Sequence, residues 1–133
     1  VSTARDVIDY ALKRRALLTD LRAGRASLAE ACDAHPYLKL AARHYGEDAG
    51  APCPVCSGRG LRRVHYVYGD ALGSVAGQAK HVRELEAMQD RYVRFSVYVV
   101  EVCRDCGWNH LLRTFVLGRD DSRDSGLPTA ADG

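Results

Sequence analysis

Hydrophobic positions change period near the middle of the chain. In the N-terminal third they recur at helical spacing. Ala4, Val7, Ile8, Ala11, Leu12, Leu18 and Leu21 predict a first helix, with Ser2 or Thr3 placed to cap it, Asp6 in its first turn and Gly24 as its stop. The stretch "SLAE" at 27–30 is a capping box and opens a short helix through Cys32. Pro36 suits the first turn of a third helix, which carries Leu38, Ala41, Ala42 and Tyr45 and stops at Gly46. "GEDAGAP" at 46–52 has the composition of a linker.

After Cys56 the period falls to two. "LRRVHYVY" at 61–68 predicts a strand with Val64, Tyr66 and Tyr68 on one face. Helical spacing returns in "QAKHVRELEAMQDR" at 78–91, through Ala79, Val82, Leu85 and Met88. "VRFSVYVVEV" at 93–102 is the strongest strand signal. Val93, Phe95, Val97 and Val99 line one face, and Tyr98, Val100 and Val102 make the other apolar too, as for a strand covered on both sides. "LLRTFVLG" at 111–118 predicts a third strand, and the polar stretch from Arg119 onward reads as a disordered tail. The expected organisation is a helical lobe over 1–46, a linker over 47–52, a strand-rich domain over 53–118 with an inserted helix at 78–91, and a tail over 119–133.

Composition adds bounds rather than direction. At 133 residues, 47% hydrophobic and 27% charged, the chain can build one modest core that an extra tether would strengthen. It has no apolar run of membrane-spanning length and no signal-peptide core, so a cytoplasmic protein without a membrane partner is expected. In that compartment thiols stay reduced, and paired CxxC motifs point to metal or redox sites rather than disulfides.

Two such motifs are present: "CPVC" at 53–56 and "CRDC" at 103–106. A two-residue gap lets both sulfurs of a turn point at one centre, and two turns supply a tetrahedral set of thiolates suited to Zn²⁺. Each knuckle is flanked by a predicted strand. The fold class expected is therefore α+β, an N-terminal helical lobe packed on a three-stranded antiparallel zinc ribbon with an inserted helix, holding one structural Zn²⁺ on Cys53, Cys56, Cys103 and Cys106. The 46 residues between knuckles exceed the usual gap of about fifteen to twenty because a helix is inserted.

Competing chemistries fit less well. A thiol–disulfide site needs its first cysteine at a helix N-terminus, whereas Ser57, Gly58 and Gly60 follow the first knuckle. A zinc deaminase needs an H-x-E element; the nearest stretch, "HYGE" at 44–47, is one residue too long, and a four-cysteine shell leaves no open position. "CPVCSGRG" is similar to one cysteine-rich repeat of DnaJ-type co-chaperones, but the second knuckle departs from it. Cys32, the fifth cysteine, reads as a small core residue. His35, His65, His81 and His110 are not needed as ligands.

The net charge of +2 is uninformative, and its distribution says little more. Residues 51–118 carry nine basic and six acidic side chains, an excess that four thiolates around Zn²⁺ would reduce to about +1. The densest basic stretch, "LKRRALLTDLRAGR" at 12–25, offers Lys13, Arg14, Arg15, Arg22 and Arg25 either as a solvated helix face or as a phosphate-contacting patch. The helices at 27–34 and 36–45 have the spacing of a helix-turn-helix in which Tyr37, Lys39, Arg43 and His44 would face DNA, although a small helical pack or docking surface fits their few cations better. Trp108, the single tryptophan, is expected to pack over the second knuckle rather than stack on a base.

The ordered set "LRAGRASLAEACDAHPYLKLAARHYG", "CPVC", "VHYVYGD" and "YVVEVCRDCGWNHLLRTFVLG" resembles a small actinobacterial family of uncharacterised proteins, over roughly residues 1–118. The resemblance implies the same four-cysteine zinc ribbon and carries no activity with it. No nucleophile–base set, phosphate-cradling loop or carboxylate pair is visible, so catalysis is not expected, nor is a small-molecule substrate. The function expected is a non-catalytic adaptor docking on transcription or other nucleic-acid machinery, with protein or nucleic acid as partner. A thiol- or zinc-dependent enzyme, redox protein or deaminase-like hydrolase is the alternative. Candidate contact residues are Lys13, Arg14, Arg15, Arg22, Arg25, Lys39, Arg43 and Trp108.

Overall fold

The computed structural model describes residues 4–120. The expected caps Ser2 and Thr3, and the expected tail beyond Asp120, lie outside the described residues. The chain folds as an α+β protein around one antiparallel sheet. Its elements are β1 (Arg5–Asp9), α1 (Ala11–Arg22), α2 (Leu28–Ala31), α3 (Pro36–Tyr45), β2 (Glu47–Asp48), β3 (Leu61–Tyr68), a 3₁₀ segment (Asp70–Val75), β4 (Ala79–Lys80), α4 (Val82–Arg91), β5 (Phe95–Cys103) and β6 (Asn109–Leu117). The strands run in the order β1-β6-β5-β3-β2, with β4 also on β3. No helix among the described residues is long and apolar enough to cross a membrane.

Among the described residues the sheet has six strands rather than three. β3, β5 and β6 are the three that the alternation predicts, and they form its centre. The additional strands are short edge pieces drawn from stretches expected to be helix, linker and helix start. Glu47 and Asp48, in the expected linker, pair with Arg63 and Arg62. Ala79 and Lys80 pair with Tyr66 and His65, so the inserted helix starts later, after His81, whose backbone amide donates to Glu84. Arg119 is held by Tyr92 and Val93, so the fold extends one step past the expected boundary.

The largest correction is at the start of the chain. Arg5–Asp9 is an edge strand, not the first turns of a helix. β-Branched Val7 and Ile8 suit either reading, and β6 offers an unpaired edge that decides between them. The strand carries a bulge between Arg5 and Ile8, with Asp6 at φ 51, where a short polar side chain is tolerated. Asp9 then accepts the Ala11 amide and lets α1 begin. The apolar stripe read from Ala4 to Leu12 is accordingly not buried as one face: Ile8 is 54% and Leu12 75% exposed.

Both sheet faces carry core. Val67, Val97, Val99, Phe95, Phe115 and Leu117 pack with Leu72, Leu85 and Met88 at the end remote from the cysteines. Nearer the cysteines, Leu18 of α1 joins Leu61, Cys53, Cys103 and Trp108. Ala42 of α3 packs on Val64 and Val102, which alternate with the first set along their strands. Burying such aliphatic side chains stabilises by about 1.5–3 kcal/mol each. Because α2 is a single turn and α3 uses its Ala42 face to cover the sheet, the pair is a helical pack rather than a helix-turn-helix.

Candidate metal centre

The two knuckles meet at one end of the sheet. Cys53 and Cys56 lie just ahead of β3, Cys103 ends β5, and Cys106 lies in the turn to β6. Antiparallel pairing of Leu61 with Cys103 brings the halves together. All four Sγ atoms lie within 4.8 Å of one another. The closest contacts run between knuckles, Cys53 to Cys106 and Cys56 to Cys103, each 3.7 Å. Four sulfurs about 2.3 Å from a central Zn²⁺ would stand about 3.8 Å apart, so the donor set fits a tetrahedral metal ion.

Both turns are built alike. Ser57 donates its amide to the Cys53 carbonyl, and Gly107 does the same to Cys103. Amides point at sulfur: Val55 at Cys53, Gly58 at Cys56 and Trp108 at Cys106, at 3.3–3.4 Å. Such donors stabilise the thiolate form a metal requires. Without a cation, burial pushes the Cys53 and Cys106 thiols up, whereas the Gly58 amide pulls the exposed Cys56 down. A divalent ion would offset that desolvation by replacing the protons.

The residue after each second cysteine has positive φ, Ser57 at 64° and Gly107 at 88°. Only Gly107 is crowded: a Cβ there would sit 2.6 Å from the Cys32 carbonyl oxygen. The segment after α2 lies directly on this knuckle, with the Ala34 amide donating to the Gly107 carbonyl at 3.0 Å and Asn109 Nδ2 to Asp33 at 3.1 Å. Asp105 ties the knuckles together by accepting the Gly60 amide at 3.1 Å. A Cβ at Gly58 or Gly60 would sit 2.6 or 2.7 Å from Asp105 Oδ2, so a side chain at either position would displace this carboxylate from forty-odd residues away.

Sequence reasoning missed Glu101. It is buried on β5 beneath α1, where Arg14 donates to it through Nε and Nη2, and Trp108 donates Nε1 at 3.0 Å. The signal was available: a lone carboxylate inside "VYVVEVC", a strand otherwise apolar. Arg14, still 29% exposed, is thereby paired with Glu101, and its charge is engaged within the chain. Trp108 is fully buried and stacks on His110 at 5.8 Å, so it packs behind the knuckle and presents no face to a base. Arg25 pairs with Asp20, and Lys13 lies over the Tyr10 ring. Arg15, Arg22 and Arg113 remain together, with Arg14 at the back, along a groove of about 460 Å³ between α1 and β6. Lys39 and Arg43 lie apart from it, on α3.

His65 is also buried, and its Nδ1 lacks a hydrogen-bond partner. Burial pushes its pKa below the ordinary histidine value; Glu47 opposes this, and Arg113 and Arg63 reinforce it. The unfolded chain therefore takes up a proton near pH 6.5 that the folded chain refuses. Stability is expected to fall as pH drops below about 6.5, by at most about 1.4 kcal/mol per pH unit from this group, and to be flat above it. Denaturant melts at pH 7.5 and 5.5 should show a smaller acid loss in His65→Leu than in wild type; equal losses would remove His65 as the cause.

The chain is 45% identical over 111 residues to uncharacterized proteins of Mycobacterium bovis and of two Mycobacterium tuberculosis strains, spanning 84% of this chain and 81% of each relative. No solved structure matches. A family model, "Family of unknown function (DUF5318)", matches residues 1–131, and with the mycobacterial relatives this places the chain in that family.

Proposed function

We propose that the four cysteines hold one structural Zn²⁺ and that the protein is a non-catalytic zinc-ribbon adaptor of nucleic-acid machinery. The observation that carries the reading is the donor set: four mutually close sulfurs from two distant knuckles. Four thiolates complete a tetrahedral shell, so an ion bound there has no open position for a substrate and acts as a clamp. The arginine groove between α1 and β6 supports a phosphate-bearing partner, because Arg15, Arg22 and Arg113 line it with Asp9 as their acidic neighbour. A second exposed feature fits a protein partner. Tyr37, Leu40 and Tyr45 of α3 border an apolar groove of about 470 Å³ with Tyr66, and Tyr68 packs edge-on against Tyr98 nearby. Exposed aromatic surface of this kind is typical of docking sites.

Anisotropy titrations with single-stranded and duplex oligonucleotides, at about 50 and 200 mM salt, test the phosphate arm. Binding should weaken with salt, and Arg15→Ala with Arg22→Ala should lower the log–log salt slope by about 2. Absence of binding to any oligonucleotide at the lower salt would leave the adaptor with protein partners alone.

A further inference from the structure

We propose that Cys32 and Cys106 are a peroxide-responsive thiol pair at the rim of the metal centre, an inference that rests on the four-cysteine metal reading. Cys32 was expected to be a small core residue, and it does pack beside Leu18 and Trp108. Its thiol, however, also points at Cys106 Sγ from 3.9 Å. That is nearly as close as the four clustered sulfurs are to one another across the knuckles, yet Cys32 stands outside their group.

The fifth sulfur is held there by the backbone rather than by a metal. The Ala34 amide bonds to the Gly107 carbonyl, Asp33 accepts from Asn109, and the bare Cα of Gly107 makes room for the Cys32 carbonyl. Access favours this pair as well. Cys53 and Cys103 are buried, whereas Cys32 and Cys106 are both partly exposed. Cys56 is more open still, but its near neighbour is Cys103, a sulfur of the metal set. Cys106 alone among the four has an uncommitted thiol against it.

The chemistry balances with hydrogen peroxide as oxidant. The Cys106 thiolate attacks one peroxide oxygen; an S–O bond forms, the O–O bond breaks and hydroxide leaves. The sulfur loses two electrons, and the peroxide gains them. The Cys32 sulfur then attacks Cys106; the S–S bond forms, the S–O bond breaks, and the hydroxyl departs with the Cys32 proton as water. The metal is left with three thiolates, its tetrahedral shell is open, and its hold weakens.

The test uses the zinc-loaded chain treated with hydrogen peroxide. Released zinc is followed with a chromogenic chelator, and disulfides are mapped by mass spectrometry after free thiols are blocked. A crosslink between the peptides of residues 32 and 106 should appear in step with zinc release, and dithiothreitol should reverse both. Cys32→Ser should bind the same zinc before oxidation, because it is not a ligand, and should lose the crosslink, with Cys106 proceeding to the sulfinic acid. Crosslinks confined to residues 53, 56, 103 and 106, or zinc release in Cys32→Ser that dithiothreitol reverses as fully as in wild type, would overturn the proposal. Protein that binds no zinc would instead sink the metal reading, and a 32–106 crosslink in that protein would still support the pair.

Discussion

Cys103→Ser is expected to abolish stoichiometric zinc binding and to unfold the cysteine end of the sheet. The apparent binding free energy of a structural zinc ion is on the order of 10 kcal/mol, comparable with the entire stability of a domain this size. The same residue ends β5, pairs with Leu61 and accepts the Gly107 amide on its carbonyl, so the sheet's central register and the second knuckle both converge on it. Serine keeps those backbone bonds and removes the sulfur, which isolates the donor from the strand. Zinc content by atomic absorption and thermal melts with and without a strong chelator provide the measurement. Chelation should lower the wild-type melting temperature sharply and leave the variant unaffected. A variant that keeps one zinc per chain, or that melts with wild type, would remove the structural clamp.

Arg14→Leu should destabilise the chain by about 3 kcal/mol, or roughly 10 °C in melting temperature, because it leaves the buried Glu101 carboxylate without its cation. Glu101 is 4% exposed, while the Arg14 side chain is 29% exposed, which places the loss at the lower end for a broken buried pair. Trp108 Nε1 would remain as the donor to Glu101, so the carboxylate is not wholly abandoned. The double variant Arg14→Leu with Glu101→Leu should recover most of the loss, since apolar replacement of both partners avoids the stranded charge. Denaturant melts of the two single variants and the double variant give the coupling energy. Additive losses would mean that α1 is held on the sheet by Leu18 and its neighbours and that the ion pair contributes nothing of its own.

These two experiments probe different layers of one arrangement. The metal would fix where the ends of β3 and β5 stand. The Arg14–Glu101–Trp108 group fixes α1 over the same end of the sheet. The packing side of Trp108 thus belongs to the support of the centre, and the arginine groove is its outward consequence: Arg14 turns in while Arg15 and Arg22, elsewhere on the same helix, line the groove.

Much of this could be read locally. β3 and β5 follow from β-branched alternation, β6 from its short apolar run, and α3 from Pro36 at its start and Gly46 at its end. Each CxxC turn is also local, since the amide two residues on reaches the sulfur whatever the rest of the chain does. The Ser27 cap on the Glu30 amide was equally legible.

What the sequence by itself determined, then, is the presence of the central strands and the main helices, which local pattern signals, and the shape of each knuckle. Only the tertiary structure decided that Arg5–Asp9 is a strand, that Arg14 points inward to Glu101, and that Cys32 meets Cys106. The physical reason is separation along the chain. A sheet edge, a buried charge and a fifth sulfur acquire their meaning from groups between 74 and 113 residues away, and neither periodicity nor spacing reports such a neighbour.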